Sequence, residues 1–241
     1  VLNDKIYGML LVQTIPTDTH FSRNTDNTLN LGEHAVQKEI RIPEYSHTLA
    51  EMTGIILGDG GVTERQLKIT LNSLDDSEYF YFVMPMLTEL FGVHPSIRKH
   101  KNSLAVDIVI SRTKLIDFLE KIGIPAGNKT LRQATIPKWI LENSEFGIAC
   151  VRGLMDTDGC IYNECHTIKD KKYCYPRISF VNKSQPLLQG FSKILKDLGY
   201  TAKIRGERAV VLEKRKDVIR YFNEIGTHNP KHLDRFAKFV G

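Results

Sequence analysis

The sequence lacks the material for a membrane anchor or a secreted scaffold. No apolar run approaches the ~20 residues that span a bilayer. The longest uncharged stretch near the start, residues 6–17, is short and has neither the basic front nor the small-residue cleavage site of a signal peptide. These absences predict an intracellular chain with no membrane partner. Cysteine is also scarce: Cys150, Cys160, Cys165 and Cys174 are the four, and none forms a C-x-x-C pair. With no secretion signal, free thiols in a reducing compartment are the expectation. Cys160, Cys165, His166 and Cys174 lie close together, but their spacing matches no common zinc pattern.

What is present is a composition of 41% hydrophobic and 25% charged residues among 241, from which a packed soluble protein is expected rather than disorder. The formal net charge is +5 and is unevenly spread. Residues 201–241 hold ten Lys and Arg against five Asp and Glu. A basic block suits a polyanion, because each cation beside a phosphate releases counterions.

The chain repeats itself. Residues 52–60, Met-Thr-Gly-Ile-Ile-Leu-Gly-Asp-Gly, are echoed by residues 151–159, Val-Arg-Gly-Leu-Met-Asp-Thr-Asp-Gly, so that Asp59 and Asp158 stand 99 residues apart. Further on, 119–123 is echoed by 222–226, and Asn128-Lys129 by Asn229-Pro230-Lys231. Two related units of about 100 residues follow, each large enough for its own core. The patterning predicts an α+β protein of two pseudo-symmetric αββαββα halves, 48–124 and 144–241, joined by a linker over 125–143. Residues 1–47 form an N-terminal extension whose centre, 17–30, is polar and turn-rich with no clear period.

Within each half the signals run in the same order. A helix opens at Thr48, with Glu51 three residues on as a capping box, and its counterpart is capped by Ser144. Both end at Asp-Gly, where glycine would allow a left-handed turn. Alternation over 67–72 and 176–183 predicts strands. Helices follow at 75–90 and 185–198, then hairpins at 96–110 and 202–212, then helices at 114–121 and 217–224. Gly54 and Gly58 share one helix face, and Gly153 and Thr157 repeat that spacing, so the two motif helices are expected to pack closely through Gly54 and Gly153. Packed side by side, they would bring Asp59 and Asp158 together at two negative helix ends. Carboxylates so placed repel each other, and divalent cations relieve the repulsion.

The double motif in its αββαββα setting resembles the LAGLIDADG homing endonucleases, single-chain form, over residue 48 to the C-terminus. The resemblance implies a DNA-binding saddle of antiparallel sheets and a site-specific double-strand endonuclease. It implies two or more Mg²⁺ ions held by Asp59 and Asp158, with carbonyls near Gly58 and Thr157 assisting. Lys183 matches an accessory position near the scissile phosphate, and Asn72 occupies the corresponding place in the first half. Arg112 and Arg215 match each other at the start of the last helix and are candidates for a second accessory role.

The exposed sheet faces are expected to read the major groove, with Lys68, Thr70, Arg98, Lys101, Arg177, Ser179, Lys203, Arg205 and Arg208 pointing outward. The expected partner is double-stranded DNA with a long, asymmetric target, bound by a monomer. Two other readings share this fold: an intron RNA maturase and a non-cleaving DNA-binding regulator. Regulators lose the motif acids, and both are kept here. Autocatalytic protein splicing needs a nucleophile after a terminal His-Asn, whereas His228-Asn229 is followed by Pro230.

Overall fold

The computed structural model describes residues 39–240, so the extension at 1–47 falls largely outside the described residues. The first half contains α1 (His47–Gly58), β1 (Gly60–Val62), β2 (Leu67–Asn72), α2 (Ser77–Phe91), β3 (Ser96–Lys99), β4 (Ala105–Ile110) and α3 (Thr113–Lys121). A short helix α4 (Lys138–Leu141) interrupts the connection. The second half contains α5 (Ser144–Asp158), β5 (Gly159–Ile168), β6 (Lys171–Val181), α6 (Gln185–Asp197), β7 (Ala202–Arg205), β8 (Ala209–Leu212), α7 (Arg215–Glu224) and a further helix, α8 (Pro230–Val240). Each half holds one antiparallel four-stranded sheet of the same topology, in the orders β1-β2-β4-β3 and β5-β6-β8-β7. The αββαββα order is therefore present twice, and α8 is an addition to the second half.

Alternation decides which sheet face is covered. Leu67, Ile69 and Leu71 of β2 are buried with Ile108 and Ile110 of β4, while Lys68, Thr70 and Asn72 point the other way. Ile161, Ile178, Phe180, Val210 and Leu212 do the same in the second half. Each half has its own core, one centred on Ile55, Tyr79, Phe91 and Leu119 and the other on Leu154, Phe180, Phe191 and Tyr221. Leu57 of α1 packs into the core of the second half, so the two units share their innermost helices.

The helix ends differ in detail from the sequence expectation. Ser46, not Thr48, caps α1, accepting from the Leu49 amide at 3.2 Å. Glu51 is buried and serves the interface described below instead of a capping box. Asn143, one residue before Ser144, caps α5, its side chain accepting from the amides of Glu145 and Phe146 at 3.0 and 3.1 Å. Gly60 and Gly159 do not take the left-handed turn, since neither has a positive φ. They are needed for closeness: a Cβ at Gly60 would lie 2.4 Å from the Ile56 carbonyl oxygen, and one at Gly159 2.3 Å from that of Met155. The chain leaves each motif helix directly into a strand, and only glycine fits beneath the last turn.

The cysteines also depart from expectation. Cys165 and Cys174 face each other across β5 and β6 and are joined as a disulfide, while Cys150 and Cys160 are free. The strand register, which sequence spacing alone does not give, is what brings them together. Among the described residues, no helix is long and apolar enough to cross a membrane.

Candidate active site at the joined motif helices

Helices α1 and α5 approach so closely that glycine is required on both. A Cβ on Gly54 would stand 2.3 Å from the Cys150 carbonyl oxygen, and one on Gly153 2.3 Å from that of Glu51. At the next turn Gly58 accommodates Thr157, whose hydroxyl would be 2.0 Å from an added Cβ. The Thr157 hydroxyl donates back into its own helix, to the Gly153 and Leu154 carbonyls. The pairing brings the C-terminal ends of both helices together and sets Asp59 and Asp158 at one place.

The electrostatics record that proximity. The Asp59 carboxyl is pushed up to about 7, first by burial, then by the charges of Asp158 and Asp76, with Lys231 and Lys129 opposing. Asp158 is also raised by burial, with Lys129 and a hydrogen bond from Asn182 opposing. Two half-buried carboxylates at the negative ends of two helices form an oxygen donor set suited to a hard divalent cation. The chemistry of these residues therefore fits the metal ions expected from the sequence.

Two lysines join this centre that the sequence pattern did not single out. Lys129, from the connection between the halves, donates its ammonium to the carbonyls of Ile56, Leu57 (2.9 Å) and Gly58 at the end of α1. Burial lowers its pKa, while Asp158 and Asp59 oppose that shift. The Gly58 carbonyl, expected to face a metal, is thus engaged by an ammonium in this arrangement. Lys231, at the start of α8, pairs with Asp76 at 2.6 Å. Asp76 is buried, accepts from the Asn229 side-chain amide at 2.8 Å, and has a carboxyl held below its usual range despite burial by Lys231 and Asn229. Asn229 also donates to the Asp156 carbonyl at 3.0 Å. The echo of Asn128-Lys129 in Asn229-Pro230-Lys231 is the sequence signal that points to both lysines.

The remaining candidates divide. Lys183 lines a cavity of about 310 Å³ together with Asp158, Lys129, Asn182 and Arg208. Asn72 plays a different part from the one expected. Its side-chain oxygen accepts from the amides of Leu74 and Asp75, closing the turn into α2. Asn182 makes the same contact to the Ser184 amide at 2.9 Å and donates to Asp158 at 2.9 Å. By this turn Asn72 matches Asn182, and Lys183 faces Ser73, one residue from the alignment read off the sequence.

Arg112 and Arg215 lie past the Leu67–Ile110 and Ile178–Leu212 pairs, at the far ends of their sheets from Asn72 and Lys183. The strand register separates them from the motif acids, so the second accessory role loses its geometric support. Arg112 donates to the neighbouring Ser111 carbonyl instead.

Of the outward candidates, Arg98, Lys203 and Arg205 on strands and Lys101 and Arg208 in the hairpin turns are exposed. Several are held by carboxylates that no sequence pattern marks. Thr70 donates to Asp107 at 2.7 Å, and His100 and Lys68 approach the same carboxylate at 2.8 and 3.7 Å. Asp107 is almost fully buried, and these partners hold its pKa down against burial. Glu213 binds Lys203 at 2.6 Å and also Arg205, while its backbone carbonyl accepts from Arg177. Arg177 further pairs with Glu164 at 2.9 Å. Ser179 is buried rather than outward-exposed.

Away from the motif acids, Glu51, Asp156 and His228 bring ligand-type atoms within 4.8 Å of one another. Each already has a protein partner. Glu51 meets His228 at 2.5 Å and Arg152 at 3.2 Å, and Asp156 accepts from Thr227 and from the His228 amide at 2.9 Å. The cluster ties α1 of one half to α5 and the tail of the other.

The family described as LAGLIDADG-like domain matches residues 46–123 and 145–240. Among curated proteins, an A-type ATP synthase subunit of Pyrococcus abyssi is 30% identical over 170 residues, 70% of this chain and 15% of that protein. The alpha subunit of the ribonucleoside-diphosphate reductase NrdEB of Bacillus subtilis is 31% identical over 143 residues, 50% of this chain and 12% of that protein. The chain thus spans 15% or less of the length of these two relatives. Among solved structures, the I-DmoI complex with DNA and calcium superposes with a TM-score of 0.53 at 20% identity, covering 81% of this chain and 98% of that one. The I-LtrWI LAGLIDADG homing endonuclease bound to target DNA gives 0.55 at 12% identity, covering 80% and 90%.

Proposed function

Because the chain belongs to the family of LAGLIDADG-like domains, we propose that it is a site-specific, metal-dependent endonuclease that cuts both strands of a DNA duplex. The observation that carries this reading is the meeting of Asp59 and Asp158 at the joined helix ends, with carboxyls raised by burial and, for Asp59, by the charge of its neighbour. Asp59 and Asp158 would hold the divalent ions, with Mg²⁺ the natural choice for carboxylate oxygen ligands. When bound, such ions stabilise charge on the phosphate and leaving oxygens and lower the pKa of water.

The protein's own groups complete the site. Lys129 and Lys183 place two cations beside Asp158, where they neutralise charge that develops on the phosphate. Asp76 holds Lys231 on the Asp59 side, and Asn182 fixes the Asp158 carboxylate by a hydrogen bond. The exposed faces around Arg98, Lys101, Lys203, Arg205 and Arg208 would bind the duplex, and one chain with two unlike halves suits a long asymmetric site.

The test is plasmid cleavage with a site selected from a randomised library. Asp59→Asn and Asp158→Asn are each expected to abolish double-strand cutting while duplex binding persists. Full double-strand cutting by either variant would sink the metal assignment. RNA binding in preference to DNA would favour a maturase, and binding without metal-dependent cleavage would favour a regulator.

A second observation concerns where the module resides. The curated relatives belong to a synthase and to a reductase, and are matched over 15% and 12% of their lengths. A segment shared by proteins of unrelated named activity behaves as an insert. We therefore read this chain as an endonuclease module carried within a longer host protein, a reading that flanking coding sequence would test.

A further inference from the structure

Two carboxylates and an imidazole meet where the halves join, and the cleavage reading leaves them without a task. Glu51 comes from α1, Asp156 from α5 and His228 from the segment between α7 and α8, and their ligand atoms lie within 4.8 Å of one another. This is not the motif-acid centre. Asp156 and Asp158 stand two residues apart on one helix, about 200° around its axis. Asp156 therefore turns toward Thr227 and His228, while Asp158 turns toward Asn182. Glu51, Phe82, Arg152 and His228 wall a cavity of about 460 Å³. The His228 side chain, 41% exposed, gives a way in from solvent.

Each ligand side chain is fixed by a neighbour. Arg152 donates to Glu51 at 3.2 Å and is itself held by the Ile225 carbonyl at 2.8 Å. The Thr227 hydroxyl and the His228 amide orient the Asp156 carboxylate. The His228 ring lies against Phe82, with centroids 4.3 Å apart. Ligands to a metal are ordinarily held by such a further layer of contacts. Two buried carboxylates face one guanidinium, an excess of negative charge that a cation would balance. Two hydroxyls add to the case. Tyr79 and Tyr221, one from each half, are fully buried, and their oxygens have no hydrogen-bond partner among the described residues. The charges of Asp156 and Glu51 act on both. Buried polar groups are ordinarily paired, and two orphaned hydroxyls near the same acids suit the waters that an ion carries.

We propose that Glu51, Asp156 and His228 form a second divalent-cation site, structural rather than catalytic, that clasps the two halves together. A tetrahedral ion with bonds of ~2.1 Å holds its ligand atoms roughly 3.4 Å apart. The Glu51–His228 contact of 2.5 Å would open and no separation wider than 4.8 Å has to close, so each pair moves by ~1.5 Å or less. The imidazole favours Zn²⁺ over the Mg²⁺ that suits an all-oxygen site. Bonds from three segments would then tie α1 of one half to α5 and the tail of the other.

The experiment uses the full chain carrying Asp59→Asn and Asp158→Asn, stripped of metal by a chelator, with Zn²⁺ alone as the probe. Calorimetry should count one Zn²⁺ per chain. With free ion at a hundredfold excess over Kd, Tm should rise by roughly 5–10 °C. In the wild type the site should show as Zn²⁺ uptake that saturating Mg²⁺ does not displace. His228→Gln and Glu51→Gln, added singly to the Asn background, should each weaken Zn²⁺ binding by ~10²-fold or more. Glu51 is buried and His228 is not, so His228→Gln decides the matter if Glu51→Gln fails to fold. Co²⁺ in place of Zn²⁺ should give visible absorption bands that His228→Gln alters or abolishes. Absence of Zn²⁺ binding, binding unaffected by His228→Gln, or an equal response to Mg²⁺ would overturn the site. Because the Asn-background comparison lacks both motif acids, its result is independent of the endonuclease reading.

Discussion

Gly54 and Gly153 are each other's counterpart across the motif helices. Each faces a carbonyl oxygen of the opposite helix that an added Cβ would meet at 2.3 Å. The contact is backbone on backbone, so no flexible side chain can yield. Gly54→Ala and Gly153→Ala are each expected to destabilise by at least the ~1–3 kcal/mol typical of overpacking. At this chain length that is a fall of several degrees in Tm, roughly 2–4 °C per kcal/mol. Thermal unfolding followed by circular dichroism checks it, and a Tm equal to wild type for both variants would show that the helices do not touch there.

Metal affinity should depend on pH through the Asp59 carboxyl, whose pKa stands at about 7 in the metal-free protein. Below that value the group keeps its proton, which a divalent cation must displace, and above it the carboxylate is already free. Mg²⁺ binding is therefore expected to strengthen as pH rises through 7 and then level off. The change approaches about tenfold per pH unit below the carboxyl's pKa for one displaced proton. Calorimetric titration on either side of that pKa measures this, and affinity independent of pH over that range would count against Asp59 as a ligand.

Glu213 restrains the second half's basic face, since Lys203 and Arg205 are both tied to it. Glu213→Gln would release two cations to phosphate. Binding to random duplex should tighten, and the slope of log affinity against log salt should steepen by up to ~2. A slope unchanged from wild type would mean that neither side chain reaches DNA.

Much of this arrangement is legible in the residues because it is written in local patterns. Period-two alternation gives β2 over its full length, and duplication gives the pairing of Asp59 with Asp158. The losses come where tertiary contacts decide. Glu51 has the spacing of a capping box, yet a partner helix offers it Arg152, and the tail beyond α7 offers it His228. Lys129 sits in a stretch that reads as linker, and only the fold turns it onto the end of α1. Asp107 is a charged residue on an apolar strand, explained only when Thr70, Lys68 and His100 converge on it. Arg112 and Arg215 fail because chain order says nothing of which end of the sheet they occupy.

The two proposed cutting centres differ in charge, and the difference should appear as unequal strand rates. Beside Asp158 stand Lys129 and Lys183, with the neutral amide of Asn182 on the carboxylate. Beside Asp59 stand a second carboxylate, Asp76, its paired Lys231 and Lys129, which acts more strongly on Asp158. Ser73 lies where Lys183 lies in the other half and brings no charge. A cation beside a phosphate gains strength as negative charge grows in the transition state. The strand served by the Asp158 centre should therefore be cut first. Removing a charged hydrogen bond from such a site costs a few kcal/mol, roughly 10²-fold or more in rate. Lys183→Met should slow that strand selectively and erase or reverse the order of cutting, with nicked circles accumulating. Asp76→Asn should act on the other strand through the loss of a fixed Lys231. End labels on each strand report both effects within one time course. Equal slowing of the two strands by Lys183→Met, or none, would show that Lys183 serves no single centre.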